Sequence, residues 1–390
     1  MPAITKPRIE SIDFLKGLVM VIMALDHVRD YFHYAAYMFD ASDPAKTTLP
    51  IFFTRFITNF CAPAFSFLAG LSAFMIGKKK SPAQLSAFLL KRGLWLVFVE
   101  IVIISLGWKF DVQFRHIGLQ TIWQLGISMI VLAGLIHLPK KLILLFSCAV
   151  IFGHNLLDNV HFNGSYLWAI LHERQLFEWT PGHYLRTAYP LLPWIAVMSL
   201  GYCFGQLYDT SFDATRRKKI LNVLGYTSLL VFIVLVSINK YGDPHPWINY
   251  GDLSKTLMSI LDVNKYPPSL LYLLITLGAT FLFLANTETV KGKIVDFFCV
   301  FGRVPFFYYI IHIYLIHLLA AFAAYFTGFG WHALVLPTFV TSVPELKGYG
   351  FNLVTVYFIW GAIVLLLFPL CKKFDRYKRN NKDKWWLSYL

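Results

Sequence analysis

The chain has 390 residues, of which 57% are hydrophobic and only 14% charged, and it carries a net charge of +14. A soluble domain has roughly 25% charged residues, so this composition excludes a soluble globular protein and points to an all-α polytopic membrane protein. The Lys and Arg residues fall in short clusters between apolar stretches, where they orient helices in a bilayer, and no nucleic-acid partner is expected.

A bilayer core is crossed by about 20 mostly apolar residues in a helix. Ten segments meet that need in chain order: 12–34, 53–76, 86–107, 119–136, 142–157, 187–207, 220–238, 268–285, 304–326 and 351–371. They follow one another so closely that a single bundle over residues 1–390 is the simplest organisation. The first run is long and no small-residue cleavage site follows it, so it is expected to stay as a helix. About two-thirds of the 35 Lys and Arg fall on one set of alternate segments, from Lys6 and Arg8 to the basic tail beyond Lys372. The positive-inside rule then puts both termini in the cytoplasm, which requires an even number of crossings. The other set holds Lys46, Arg55, Lys109, Arg115, Arg174, Arg186, Lys240, Lys255, Lys265 and Lys347. The longest segments on that outer side, 158–186, 239–267 and 327–350, are rich in Trp, Tyr, His, Gly and Pro. They read as caps over a mouth or as ordinary linkers with interfacial aromatics.

The first helix carries the chemical signal. Ionisable groups inside a span usually face a cavity or a partner, and this helix holds Asp13, Lys16, Asp26, His27, Arg29 and Asp30. Lys16 and His27 are eleven residues apart, about three turns, which puts them on one face roughly 16 Å apart along the axis. His27 and Asp30 are three apart, within hydrogen-bonding reach on one face. A cation near the cytoplasm could hold a phosphate-bearing donor, and the His could deprotonate an acceptor hydroxyl or amine. The alternative is that Lys16 snorkels to the headgroups and His27 with Asp30 ends the helix at the outer interface.

Glu100 lies inside the third helix and needs a partner or a protonated state, and pairing with a Lys or His elsewhere is the simplest account. Arg92 and Arg303, at cytoplasmic helix ends, are candidates for phosphate contacts, since a guanidinium offers a fork of donors; topology alone would also account for them. Residues 65–74, with Gly70 and Ser72, suit close helix packing. His312 and His317 lie about 140° apart around the ninth helix, so they cannot serve one site together; His317 reads as structural. The five Cys show no CxxC or Cys/His pattern, and no zinc-like His/Glu motif is present, so no metal is expected.

The opening RIESIDFLKGLVMVIMALDHVRDYF resembles the first helix of the heparan-alpha-glucosaminide N-acetyltransferase catalytic-domain-like family. Four further stretches resemble that family in order: FSFLAGLSAF at 65–74, YPLLPWIAVMSLGYCFG at 189–205, YPPSLLYLLITLG at 266–278 and FGRVPFFYYIIHIYLIHLL at 301–319. Lys16 and His27 are also similar in spacing to an Arg/Lys-x10-His element of bacterial membrane O-acyltransferases.

The resemblance implies transfer of an acetyl group from cytoplasmic acetyl-CoA to an amine or hydroxyl of a sugar on the far side of the membrane. It implies His27 as general base or transient acetyl carrier, oriented by Asp30 with Asp26 nearby, and His312 as a second acid–base or orienting group. Lys16, Arg92 and Arg303 would hold the donor. Animal lysosomal members place their His beyond the end of this helix, where His33 is the nearest such residue. They also carry a long lumenal amino-terminal region that has no counterpart before the first helix, which favours a bacterial cytoplasmic membrane. The expected partners are acetyl-CoA, an extracytoplasmic glycan and the lipid bilayer, with room for a homodimer. The competing readings are a secondary transporter or flippase for a glycosidic or anionic solute, which the lack of an inverted repeat disfavours, and a non-catalytic sensor.

Overall fold

The computed structural model describes residues 9–162 and 164–388; Lys6 and Arg8, expected at the cytoplasmic amino terminus, lie outside them. Each of the ten expected apolar segments holds a helix. In chain order the helices are α1 (Glu10–Phe32), α2 (Leu49–Gly77) and α3 (Pro82–Val99, carried on by a π turn Glu100–Ile104 and a last turn Ser105–Lys109). Then come α4 (Thr121–Leu135), α5 (Lys140–Leu157), the short α6 (Tyr166–Leu171), α7 (Leu192–Phe204) and α8 (Ala214–Ile238). The last five are α9 (Leu253–Leu261), α10 (Leu270–Thr287), α11 (Lys293–Arg303), α12 (Pro305–Phe326) and α13 (Leu353–Asn380). Among the described residues, α2, α5, α8, α10, α12 and α13 are the six long and apolar enough to cross a membrane by length and composition. The remaining expected spans are helices that are shorter, interrupted by the π turn, or, like α1, loaded with charge.

Helices suit a bilayer because they satisfy every backbone polar group internally. α1 is central, packed against α2, α11, α12 and α13. Its crossing with α11 is set by two glycines: a Cβ on Gly17 would overlap the Phe298 carbonyl, and one on Gly302 the Asp13 carbonyl. Small residues let helix backbones meet where no hydrophobic drive separates protein from lipid. Gly70 of α2 is pressed in the same way against the Met198 carbonyl of α7, as its packing motif suggested. At the periphery, α8 and α13 expose large apolar side chains such as Leu230, Ile233, Phe358 and Leu365.

The mostly helical bundle agrees with the all-α expectation, and beside it the described residues hold one small sheet, with strands β1 (His116–Leu119), β2 (Leu176–Thr180) and β3 (His183–Thr187) in the order β1-β3-β2. β2 and β3 form a hairpin whose turn is Pro181-Gly182, with Gly182 at φ +74, and β1 joins β3 in parallel, His116 opposite Tyr184. The sheet lies in segments expected outside the bilayer, where backbone groups need partners that a span supplies for itself. The expected helix 187–207 accordingly starts later, at Leu192, because Thr187 belongs to β3 and Pro193 sits in the helix's first turn.

Glu100 takes backbone amides as its hydrogen-bond partners, with Lys109 near enough to attract it as well. Its carboxylate accepts from the amides of Ile122, 2.8 Å, and Trp123, 3.0 Å, in the first turn of α4. The unpaired amides and the positive end of the helix dipole share the role given to a Lys or His in the simplest account.

Candidate functional site

The face of α1 that carries Lys16 and His27 adjoins two neighbouring cavities. One, of about 340 Å³, is lined mostly by apolar side chains with Lys16 and Arg92 among them. Lys16 donates to Ser72 Oγ at 2.9 Å, across the α1–α2 contact. The other, of about 520 Å³, is lined by Asp26, His27, Arg29, Asp30 and His33 from α1 and its end, with Trp108, Lys109, His116, Gln120 and Tyr309. Met23, Phe65, Thr121 and Tyr309 line both cavities. Lys16 and His27 therefore lie on two cavities that share part of their lining.

His27 and His312 meet at the centre. Their Nδ1 and Nε2 atoms are 2.8 Å apart, with the rings within 11° of parallel. His312 Nδ1 is 2.9 Å from the Tyr308 carbonyl, one turn earlier in α12. A carbonyl only accepts, so in a neutral His312 the proton sits on Nδ1 and Nε2 is the acceptor. His27 must then donate from its own Nδ1, which leaves the lone pair of its Nε2 available. Trp108 stands edge-on to the His27 ring, with centroids 4.7 Å apart, and its carbonyl is held by the Tyr31 hydroxyl at 2.5 Å.

Asp30 does not orient His27. Its carboxylate takes Arg29 Nη2 at 2.7 Å, and Asp26 takes Arg29 at 2.9 Å and Arg55 at 3.0 Å. A guanidinium binds a carboxylate more strongly than a neutral imidazole does, so the arginines claim both acids. His33, just past α1, lies on the rim of the same cavity, where backbone bonds to Phe351 hold its neighbours. Arg303 lies apart from both cavities and pairs with Asp375 of α13 at 3.0 Å, so it is not available as the expected donor contact. His317 lies between the Gly107 and Leu334 carbonyls, at 2.8 and 2.7 Å, and ties α12 to its neighbours.

Sequence reasoning did not single out most of the cavity's cations. Arg55, Lys109, Arg174, Arg186 and Lys265 line it together with Arg29, against Asp26, Asp30 and Asp40. The signal was present: these five are half of the cations that break the positive-inside bias. Tyr266 sits among them, with Arg174 4.9 Å and Lys265 5.5 Å from its ring. Burial pushes the Tyr266 phenol up, but Lys265, Arg55 and Arg174 outweigh it and bring it to about 8. Burial, with help from Lys109 and Arg186, pushes the His116 imidazole down to about 4, which keeps that ring neutral.

The family described as heparan-alpha-glucosaminide N-acetyltransferase, catalytic, matches residues 8–236. The chain belongs to that family. No curated protein matches it. Family membership and the apolar helices together make it a multi-pass membrane protein of acetyltransferase type. The part matched to the N-acetyltransferase catalytic region carries Lys16, His27, Arg92 and the β2–β3 hairpin. Lys265 and Tyr266 come from beyond it and line the same cavity, and His312, also beyond it, meets the His27 ring.

Proposed function

We propose that this protein transfers an acetyl group from cytoplasmic acetyl-CoA to an amine or hydroxyl of a negatively charged sugar on the outer face of the membrane. The observation that carries the reading is the pair of adjoining cavities on α1, one with Lys16 and the other with His27. Ten crossings with both termini in the cytoplasm would put the Lys16 cavity on the donor side. Lys16 and Arg92 match the phosphates of coenzyme A, and the apolar walls match its thioester arm. On the other side the ring of Arg and Lys suits carboxylate or sulfate groups on the acceptor.

His27 Nε2 would take the proton from the acceptor nitrogen or oxygen as that atom attacks the thioester carbonyl. The C–S bond breaks, and the coenzyme A thiolate leaves and takes up a proton. A route through acetyl-His27 uses the same lone pair. His312 would fix the tautomer, and Arg29 and Arg55 would hold Asp26 and Asp30 in place. In single turnovers without acceptor, acetylated enzyme marks the two-step route and its absence the direct one.

The test uses protein in liposomes with labelled acetyl-CoA on one side and a panel of anionic and neutral amino sugars on the other. Label should appear on the far-side sugar. Lys16→Ala should weaken acetyl-CoA binding about 10- to 100-fold, the scale of a lost charge-assisted contact, measured by equilibrium binding. A protein indifferent to acetyl-CoA that instead moves anionic solute into liposomes would establish the transporter reading.

A pH dependence follows from Tyr266. Below about pH 8 its phenol is neutral and the surrounding cations are undiluted; above it a phenolate appears among them. The KM for an anionic acceptor should therefore rise several-fold from about pH 7 to about pH 9, and Tyr266→Phe should flatten that rise. An unchanged profile in the variant would remove Tyr266 from acceptor binding.

A further inference from the structure

Away from the His27 cavity, three side chains that the proposed reaction does not use converge where α5 ends. His154 lies in the last turn of α5, Asp158 follows that turn, and His172 is the residue after α6. One ligand atom from each lies within 4.8 Å of the others. Both imidazoles are 2% exposed, and none of their four ring nitrogens has a hydrogen-bond partner. The closest approach, His172 Nε2 to Asp158 Oδ1, is 3.5 Å, too long for a hydrogen bond. The carboxylate is already aimed: Asp158 Oδ2 accepts from Asn155 Nδ2 at 2.8 Å, and Asn155 Oδ1 accepts from the Leu270 amide at 2.9 Å.

Buried imidazoles nearly always find partners, and two side by side with none is the arrangement a metal resolves. We propose that His154, Asp158 and His172 bind a divalent transition cation of the zinc type, with water as the fourth ligand. Two neutral imidazoles and one carboxylate favour such a cation over magnesium or calcium, which prefer oxygen ligands. Ligands about 2.0 Å from a tetrahedral zinc stand roughly 3.3 Å apart, a separation that modest side-chain rotation reaches here. Asn155 supplies the outer hydrogen bond that orients the carboxylate, as partners of metal ligands commonly do.

The site would be structural. It joins the end of α5 to the segment that follows α6, and Arg174, which lines the His27 cavity, comes two residues after His172. The β2–β3 hairpin that supplies Arg186 follows directly. A metal there fixes the root of the chain that carries both cations. The spacing His-x3-Asp-x13-His matches none of the zinc patterns sought in the sequence, which explains why no metal was expected.

The experiment is metal analysis of the tag-free full chain by mass spectrometry, followed by chelation and titration with zinc or cobalt. About one zinc per chain is expected. Chelation should lower the thermal transition, zinc but not magnesium should restore it, and cobalt should give the visible bands of a tetrahedral site. The His154→Ala/His172→Ala variant should lose the metal. If that variant does not fold, chelated wild-type protein still decides, because saturable zinc uptake supports the site. No saturable uptake by chelated wild type, or equal uptake by the folded double variant, overturns it.

Discussion

Replacing His27 with Ala should lower acetyl transfer by about 10²- to 10⁴-fold, the usual contribution of a positioned acid–base group, and leave acetyl-CoA binding close to wild type. The two effects separate because Lys16 and Arg92, the proposed donor contacts, lie in the other cavity, while His27 Nε2 is the ring atom left without a bond by the chain Tyr308 carbonyl, His312, His27. His312→Phe removes the acceptor for the His27 Nδ1 proton and frees the ring to take either tautomer, so it should give an intermediate loss. Steady-state rates with acceptor, alongside equilibrium acetyl-CoA binding, check both. A His27→Ala enzyme with a wild-type rate would remove the imidazole from the chemistry, whatever its position.

Gly17→Leu should all but abolish the folded protein. Its Cβ alone would overlap the Phe298 carbonyl of α11, and α11 meets α1 backbone to backbone from both sides, through Gly17 and Gly302. Overpacking of this kind costs about 1–3 kcal/mol where a core can shift. Here the obstacle is main chain, which cannot rotate away, so the cost should reach or pass the upper end. Gly17→Ala should fall between. Thermal unfolding in detergent, followed by size-exclusion chromatography, measures the series. A monodisperse Gly17→Leu protein with an unchanged transition would mean that the two helices separate easily.

Much of the helical frame could be read in advance, because a bilayer demands long apolar runs and those stand out in composition alone. That Lys16 and His27 share one side of the helix was also legible, since helical spacing fixes which residues share a face. The partner of His27 was not. His312 is 285 residues away, and local spacing offered Asp30 instead, one residue from an arginine that takes it. Arg303 shows the same limit: a cation at a helix end reads as a phosphate contact until Asp375 arrives from 72 residues further along. The sheet was hidden because β1 and β3 meet across more than sixty residues. The cations of the His27 cavity were visible one by one as exceptions to the charge bias, but their convergence is a property of the packed bundle.

The boundary between the two cavities has a consequence for control. Met23, Phe65, Thr121 and Tyr309 come from α1, α2, α4 and α12, so four helices supply the lining that the two cavities share. A boundary framed by four separate helices has no single hinge. Glu100, by gripping the start of α4 at the turn where Thr121 sits, pins one edge of that boundary from inside the bundle. A shift of any one of these helices therefore alters the lining of both cavities at once.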